Sequence, residues 1–244
     1  PRKTFSTNIM GLVNVMEAAV KTGVKAVVVV SSDKCYLPAK TPRNIHSPLG
    51  GKEPYSASKA AAEMVLGAYR ERMNIIVARA GNAIGGGDWA KDRLIPDLMR
   101  ALASNSPIFI RNPHASRPWQ HVCELVHAYL QMGLHAMRGH HCSAWNVGPD
   151  RSATVGDILD ELRRTGLSPR VVSRTNSFPE NQILQLDVRE TEEVLGLRSV
   201  LSWKKALSWT IEEYACIHSS SFSELIWERF CSLGSSDTSS TDST

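Results

Sequence analysis

Five residues in two short stretches are of types that can move protons: Ser32, Asp33 and Lys34 in "VVVVSSDKCY", and Tyr55 and Lys59 in "PYSASK". The second stretch reads as the first turn of a helix, because Pro54 suits its opening position. A four-residue spacing then puts the phenol and the ammonium on one face. A cation beside a phenol favours the phenolate and draws its pKa down from about 10 toward neutrality, which makes tyrosine a usable general base. The first stretch sets a hydroxyl, a carboxyl and an amine directly behind four valines. A strand that only supports a fold more often closes on Gly, Pro or Asn. The plain alternatives are a solvated helix face for Tyr55 and Lys59 and a surface ion pair for Asp33 and Lys34.

The elements around these residues alternate. A helix over about 7–22 carries Ile9, Val13, Met16 and Val20 on one face, with Ser6 or Thr7 to cap it and Gly23 to end it. A strand at 25–31, a polar loop, a helix at 55–72 and a strand at 75–80 follow. This order predicts an α/β fold with a parallel sheet and crossover helices. Ligands bind outside the carboxyl ends of such strands, so the two sets of side chains converge on one site. The loop from Asp33 to Pro54 exceeds the usual ~2–6 residues of such connections, which favours a functional loop. Further on come a helix to about 103, a strand at "PIFIR", a helix at about 121–136 and a strand at "AWNVG". "GGGDW" lacks both the GxGxxG spacing and an immediate helix, so it is assigned to the substrate side. The Ser/Thr-rich stretch 218–244 is expected to be a disordered tail.

Of 244 residues, 42% are hydrophobic, enough for one large or two small domains, and 28 basic against 24 acidic residues leave a net charge of +4. That charge is small and scattered, which argues against a nucleic-acid partner. Five cysteines without CxxC spacing point to neither a disulfide framework nor a metal site, and fit a reducing cytoplasm. "GHHC" at 139–142 reads as a polar loop. No apolar run approaches the ~20 residues of a membrane span.

Six blocks, "TNIMGLVNVMEA", "SSDKCY", "PLGGKEPYSASKAAAE", "RAGNAIGGGDWAKDRLIPD", "IRNPHASRPWQHV" and "AWNVGP", resemble the extended short-chain dehydrogenase/reductase superfamily, most closely the CDP-glucose 4,6-dehydratases. The resemblance spans Thr4 to Ile217. It implies an incomplete Rossmann-like parallel sheet with a smaller α/β substrate-binding region: 1–81 and 119–147 for the NAD-binding part, 82–118 and 148–217 for the nucleotide-sugar part. It implies NAD as cofactor, contacted by Tyr55, Lys59, Asn8 and Ala80, and a nucleotide-diphosphate sugar held by Asn82, Arg93, Leu94, Arg117 and Asn146. Tyr55 would take the sugar 4-hydroxyl proton, Ser32 would bond the 4-oxygen, Lys34 would remove the C5 proton and Asp33 would protonate the departing 6-hydroxyl. Lys34 can do so only with a pKa well below about 10.4. Relatives often carry Thr at Ser32, and a His where this chain has Glu180, which leaves one nucleotide contact open. His121 is expected to be structural. In similar enzymes the helices corresponding to 7–22 and 55–72 build a homodimer. No strand–GxxGxxG–helix precedes the first helix, so the sequence is expected to be a fragment with little activity alone. The alternatives are another nucleotide-sugar dehydratase, an epimerase, or a non-enzymatic protein that binds nucleotide sugars or pairs with a partner chain.

Overall fold

The computed structural model describes residues 1–139, 144–149, 151–173 and 184–236. His140, His141, Cys142, Glu180 and the last eight residues lie outside them. The chain forms two compact units: Pro1–Gly81, Leu125–Asp150 and Gln185–Arg198 make the first, and Asn82–Glu124, Arg151–Leu184 and Ser199–Thr244 the second.

In the first unit three parallel strands lie in the order Ala26–Val30, Asn74–Ala80, Ala144–Val147. Val, Ile and Ala dominate them; Asn74–Ala80 and Ala144–Val147 are largely buried, as suits strands covered on their faces, while Ala26–Val30 is half-buried with Val30 exposed. The register sets Val30 beside Ala78 and Arg79 beside Asn146. The first helix starts at Arg2, ahead of the expected Ser6 or Thr7 cap, because nothing in "RKTF" breaks a helix. It continues through a π-helical turn at Ser6–Met10 and the helix Gly11–Lys21. Gly23, at φ +71°, ends it: the Val24 and Gly23 amides return to the Ala19 and Val20 carbonyls. Met16, Leu66, Tyr69, Ile75 and Val77 form the core between helices and sheet.

Residues 185–198 belong to this unit, not to the nucleotide-sugar part. The Arg43 amide donates to the Gln185 carbonyl, the Asp187 amide donates back to the Arg43 carbonyl, and Thr191 Oγ1 donates to the Asn146 carbonyl at 2.8 Å. Residues 119–124 go the other way, because the strand Trp119–His121 pairs with Asn82–Ile84 in the second unit.

The second unit packs the helices Leu94–Ala103, Val155–Arg164 and Trp203–Cys216 around a core of Leu98, Ile108, Trp119, Ile158, Leu162 and Leu207. A Thr154–Asp157 capping box starts the middle helix. The expected disordered tail instead carries a helix at Phe222–Ser236. Its composition is polar, yet Leu225, Arg229 and Leu233 recur at helical spacing, and Arg229 and Leu233 are buried. Among the described residues no helix is long and apolar enough to cross a membrane.

Candidate active site

The strand Ala26–Val30 delivers Ser31, Ser32 and Asp33 into a buried position at its carboxyl end, where Asp33–Cys35 forms a single 3-10 turn. Ser32 caps that turn: its Oγ accepts from the Lys34 amide at 3.2 Å and donates to Asp33 Oδ1 at 3.0 Å. Lys34 Nζ lies 3.0 Å from the same oxygen, and the Asp33 side chain is 1% exposed. The carboxyl half of the pair is therefore out of solvent, while the Lys34 side chain stays 35% exposed. Asp33 Oδ2 is buried with no hydrogen-bond partner among the described residues. One carboxyl oxygen is fixed by the turn and the other is uncommitted, which suits a group that exchanges a proton.

The helix Pro54–Leu66 starts on Glu53, whose carboxylate accepts from the Tyr55 amide at 2.8 Å and the Ser56 amide at 2.6 Å. Burial alone would raise the Glu53 pKa, but these bonds and nearby Lys34 bring it below the ordinary value. Lys59 Nζ donates to the Val30 carbonyl at 3.1 Å and lies 5.9 Å from the centre of the Tyr55 ring. Burial holds the Lys59 ammonium below the ordinary lysine range. The phenol–ammonium row is thus tied to the last residue of the strand that ends in Ser31–Lys34. Tyr55 is 41% exposed, within reach of a ligand. Asn8, in the π-helical turn, donates to Ser58 Oγ at 2.9 Å, and Ser58 donates to the Tyr55 carbonyl at 2.7 Å. Ala80 ends the middle strand and is buried.

Beneath these groups runs a network that sequence reading missed. Glu63 Oε1 accepts from Ser31 Oγ at 2.5 Å, and its Oε2 accepts from Arg79 Nε at 2.9 Å and Nη2 at 2.6 Å. Arg79 Nη1 donates to the Tyr36 hydroxyl and the Ile45 carbonyl, each at 2.8 Å, and Tyr36 donates to Asn146 Oδ1 at 2.6 Å. Burial opposes the Arg79 charge, but its bonds to Glu63 and Tyr36 outweigh this and raise its pKa. Burial also pushes the Tyr36 phenol and the Cys35 thiol above their ordinary ranges. The signal was present in "IIVARA" and "KAAAEMVL": a charge inside a buried strand or an apolar helix face needs a partner.

Asn146 departs from the expected substrate contact. It is fully buried, and its Nδ2 is spent on the Arg43 carbonyl at 2.7 Å and the Asp187 carbonyl at 2.9 Å, so it clamps two loops to the third strand.

The other expected substrate contacts lie in the second unit. The Asn82 amide donates to the Pro118 carbonyl. Arg93 is exposed, lies 2.7 Å from Asp88 and donates to the Ala83 carbonyl, and Leu94 opens the next helix. Arg117 is buried and bonds the Ser116 carbonyl. His121 is fully buried; its Nδ1 accepts from the Cys123 amide, which leaves Nε2 to donate to Glu213 at 3.1 Å.

Residues 1–148 match the family model described as "NAD dependent epimerase/dehydratase family". A CDP-glucose 4,6-dehydratase of Salmonella typhimurium is 41% identical over 180 residues, 66% of this chain and 50% of the relative. The chain thus spans half the length of that relative. Two structures of MoeE5 superpose well. The complex with UDP-glucuronic acid and NAD gives a TM-score of 0.77 at 26% identity, over 84% of this chain and 70% of that one. The complex with UDP-glucose and NAD gives 0.79 at 25%, over 87% and 72%.

Proposed function

The chain belongs to the NAD dependent epimerase/dehydratase family, and from that premise we propose that it is the catalytic part of a nucleotide-sugar 4,6-dehydratase acting on CDP-glucose. The observation that carries this reading is the pair of a buried Asp33 and a partly exposed Lys34 at the end of the strand to which Lys59, and with it Tyr55, is tied. Removing water across C5 and C6 of a hexose needs a base for one carbon and an acid for the next, and adjacent residues on a rigid turn supply both.

The donor set suits NAD on the nicotinamide side. Lys59 and Tyr55 would hold the ribose, the small Ala80 leaves room at the strand end, and Asn8 would brace the turn that carries Tyr55 through Ser58. When bound, NAD supplies the hydride acceptor for C4 and the donor for C6. Tyr55 takes the 4-hydroxyl proton, favoured by the neighbouring ammonium, and Ser32 donates a hydrogen bond to the 4-oxygen. Transfer of the Lys34 proton to Asp33 across their 3.0 Å contact leaves a free amine and a protonated carboxyl; the ketone at C4 acidifies C5, and the Lys34 amine removes that proton. Asp33, through Oδ2, protonates the 6-hydroxyl as it leaves. Asn82, Arg93, Leu94 and Arg117 would receive the nucleoside diphosphate, since an arginine fork matches phosphate oxygens. The exposed Met10, Val15 and Met64 suit a second copy of the chain packing on the segments Ser6–Met10 and Gly11–Lys21 and the helix Pro54–Leu66. A reducing cytoplasm is the proposed setting, from the cysteine usage.

The test is to incubate the enzyme, with the whole sequence of its relatives' length present, with CDP-glucose deuterated at C4. The expected product has lost one water and carries the label at C6; unchanged sugar nucleotide overturns the reading. Turnover of dTDP- or UDP-glucose in preference to CDP-glucose keeps the chemistry and corrects the base. Asp33→Asn is expected to slow elimination by about a hundredfold or more while C4 oxidation persists.

A further inference from the structure

Glu63 is the third member of the helix row that begins with Tyr55 and Lys59, each four residues from the next. It is 8% exposed and reaches two other elements, Ser31 at the strand end and Arg79 in the middle strand. A buried ion pair is a poor device for stability alone, because apolar residues of similar volume often serve as well or better. Its placement matters more here. Lys59 is disfavoured as a cation by its burial, and the charges acting on it are those of Glu63 and Cys35. The Cys35 thiol is pushed up by burial and stays neutral, so Glu63 is the carboxylate that opposes the desolvation of Lys59.

We propose that Glu63 is a positioning residue: held by Ser31 and Arg79, it locks the helix face bearing Tyr55 and Lys59 to the strand end bearing Ser32–Lys34 and supplies the counter-charge of the Lys59 ammonium. The roles of Tyr55 and Lys59 rest on the dehydratase reading above, whereas the tie itself does not.

The experiment titrates Lys59 in this chain by carbon-13 NMR of the lysine Cε, assigned with Lys59→Arg. Glu63→Gln is expected to lower the Lys59 pKa by about half a unit or more, because the counter-charge is gone. Ser31→Ala is expected to raise it by a smaller amount, because a carboxylate that loses a donor presents more of its charge to the ammonium. Opposite signs from two changes at one contact are not what lost packing produces. A Lys59 titration unmoved in both variants overturns the proposal, and Ser31→Ala decides alone if Glu63→Gln does not fold. In the active enzyme, Glu63→Gln should lower kcat by about tenfold to a hundredfold with KM changed less than about twofold. A loss of thermal stability with kcat intact also overturns it. A parent enzyme without dehydratase turnover overturns the reading above, while the titration still decides Glu63.

Discussion

In each unit a buried glutamate meets a buried arginine, Glu63 with Arg79 and Glu213 with Arg229, and the two pairs do different work. In the second unit Glu213 is fully buried; its Oε1 accepts from Arg229 at 2.6 Å, and its Oε2 accepts from the Gly86 amide at 2.6 Å and His121 at 3.1 Å. Every donor belongs to the scaffold, and the backbone passes so close that a Cβ on Gly86 would stand 2.3 Å from Glu213 Cβ. In the first unit Glu63 accepts from a scaffold arginine too, but also from Ser31, the neighbour of Ser32 and Asp33. Similar chemistry thus closes a fold in one place and connects a fold to the proposed proton-moving groups in the other. What separates them is whether any donor adjoins a side chain with an uncommitted proton site.

The sharpest way to break this contrast is to strike each side and read both stability and turnover. Tyr55→Phe is expected to cut turnover of the active enzyme by about 10²–10⁴-fold, the usual contribution of a general acid–base group. Its urea midpoint should hardly move, because substitution of an exposed side chain changes stability by about 0.5 kcal/mol or less. Glu213→Ala should do the reverse. It leaves the Gly86 amide and His121 without their acceptor, while Arg229 keeps Glu212 and the Trp209 carbonyl, and it is expected to cost about 1–3 kcal/mol of unfolding free energy for each orphaned donor. If the folded fraction of Glu213→Ala lost turnover as deeply as Tyr55→Phe, the contrast would fail.

A pH series sharpens the same side. Burial alone would raise the Glu213 pKa, but His121, the Gly86 amide and Arg229 overcome it, so the folded value lies below the ordinary 4.5. The stabilisation from this depressed carboxylate is therefore complete above the unfolded value and is lost as pH falls through the folded one. Urea midpoints measured from about pH 6 to about pH 3 should fall more steeply for the parent than for Glu213→Gln. Equal slopes would show that other carboxylates carry the acid sensitivity. The smallest effect belongs to Glu53→Ala, expected to cost about 0.5–1 kcal/mol as an exposed helix cap. Because Glu53 binds the Tyr55 amide, a loss of turnover larger than that stability change would place the cap on the reactive side of the comparison.

Much of the first unit was legible in the chain itself. The valine run, the alternation of strand and helix, and the spacing of Tyr55 and Lys59 are local patterns, and the parallel strands lie where they indicated, whereas the first helix starts early at Arg2 and the helix expected over 55–72 ends at Leu66 before a 3-10 turn at Gly67–Tyr69. The helix at Phe222–Ser236 was not, because its polar composition masked the spacing of Leu225, Arg229 and Leu233. Nor was the assignment of 185–198 to the first unit, which depends on Arg43, more than 140 residues earlier in the chain.

The sequence by itself determined which faces are apolar, where the strand ends, and which proton-moving types stand at that end, because period and residue chemistry act over a few residues. Only the tertiary structure decided that Glu63 meets Ser31 and Arg79, that Asn146 spends its amide on two loops, and that Asp33 Oδ2 is left without a partner among the described residues. Burial makes those choices binding. A polar group removed from water must find its partner wherever the fold brings one, and local pattern does not say where that is.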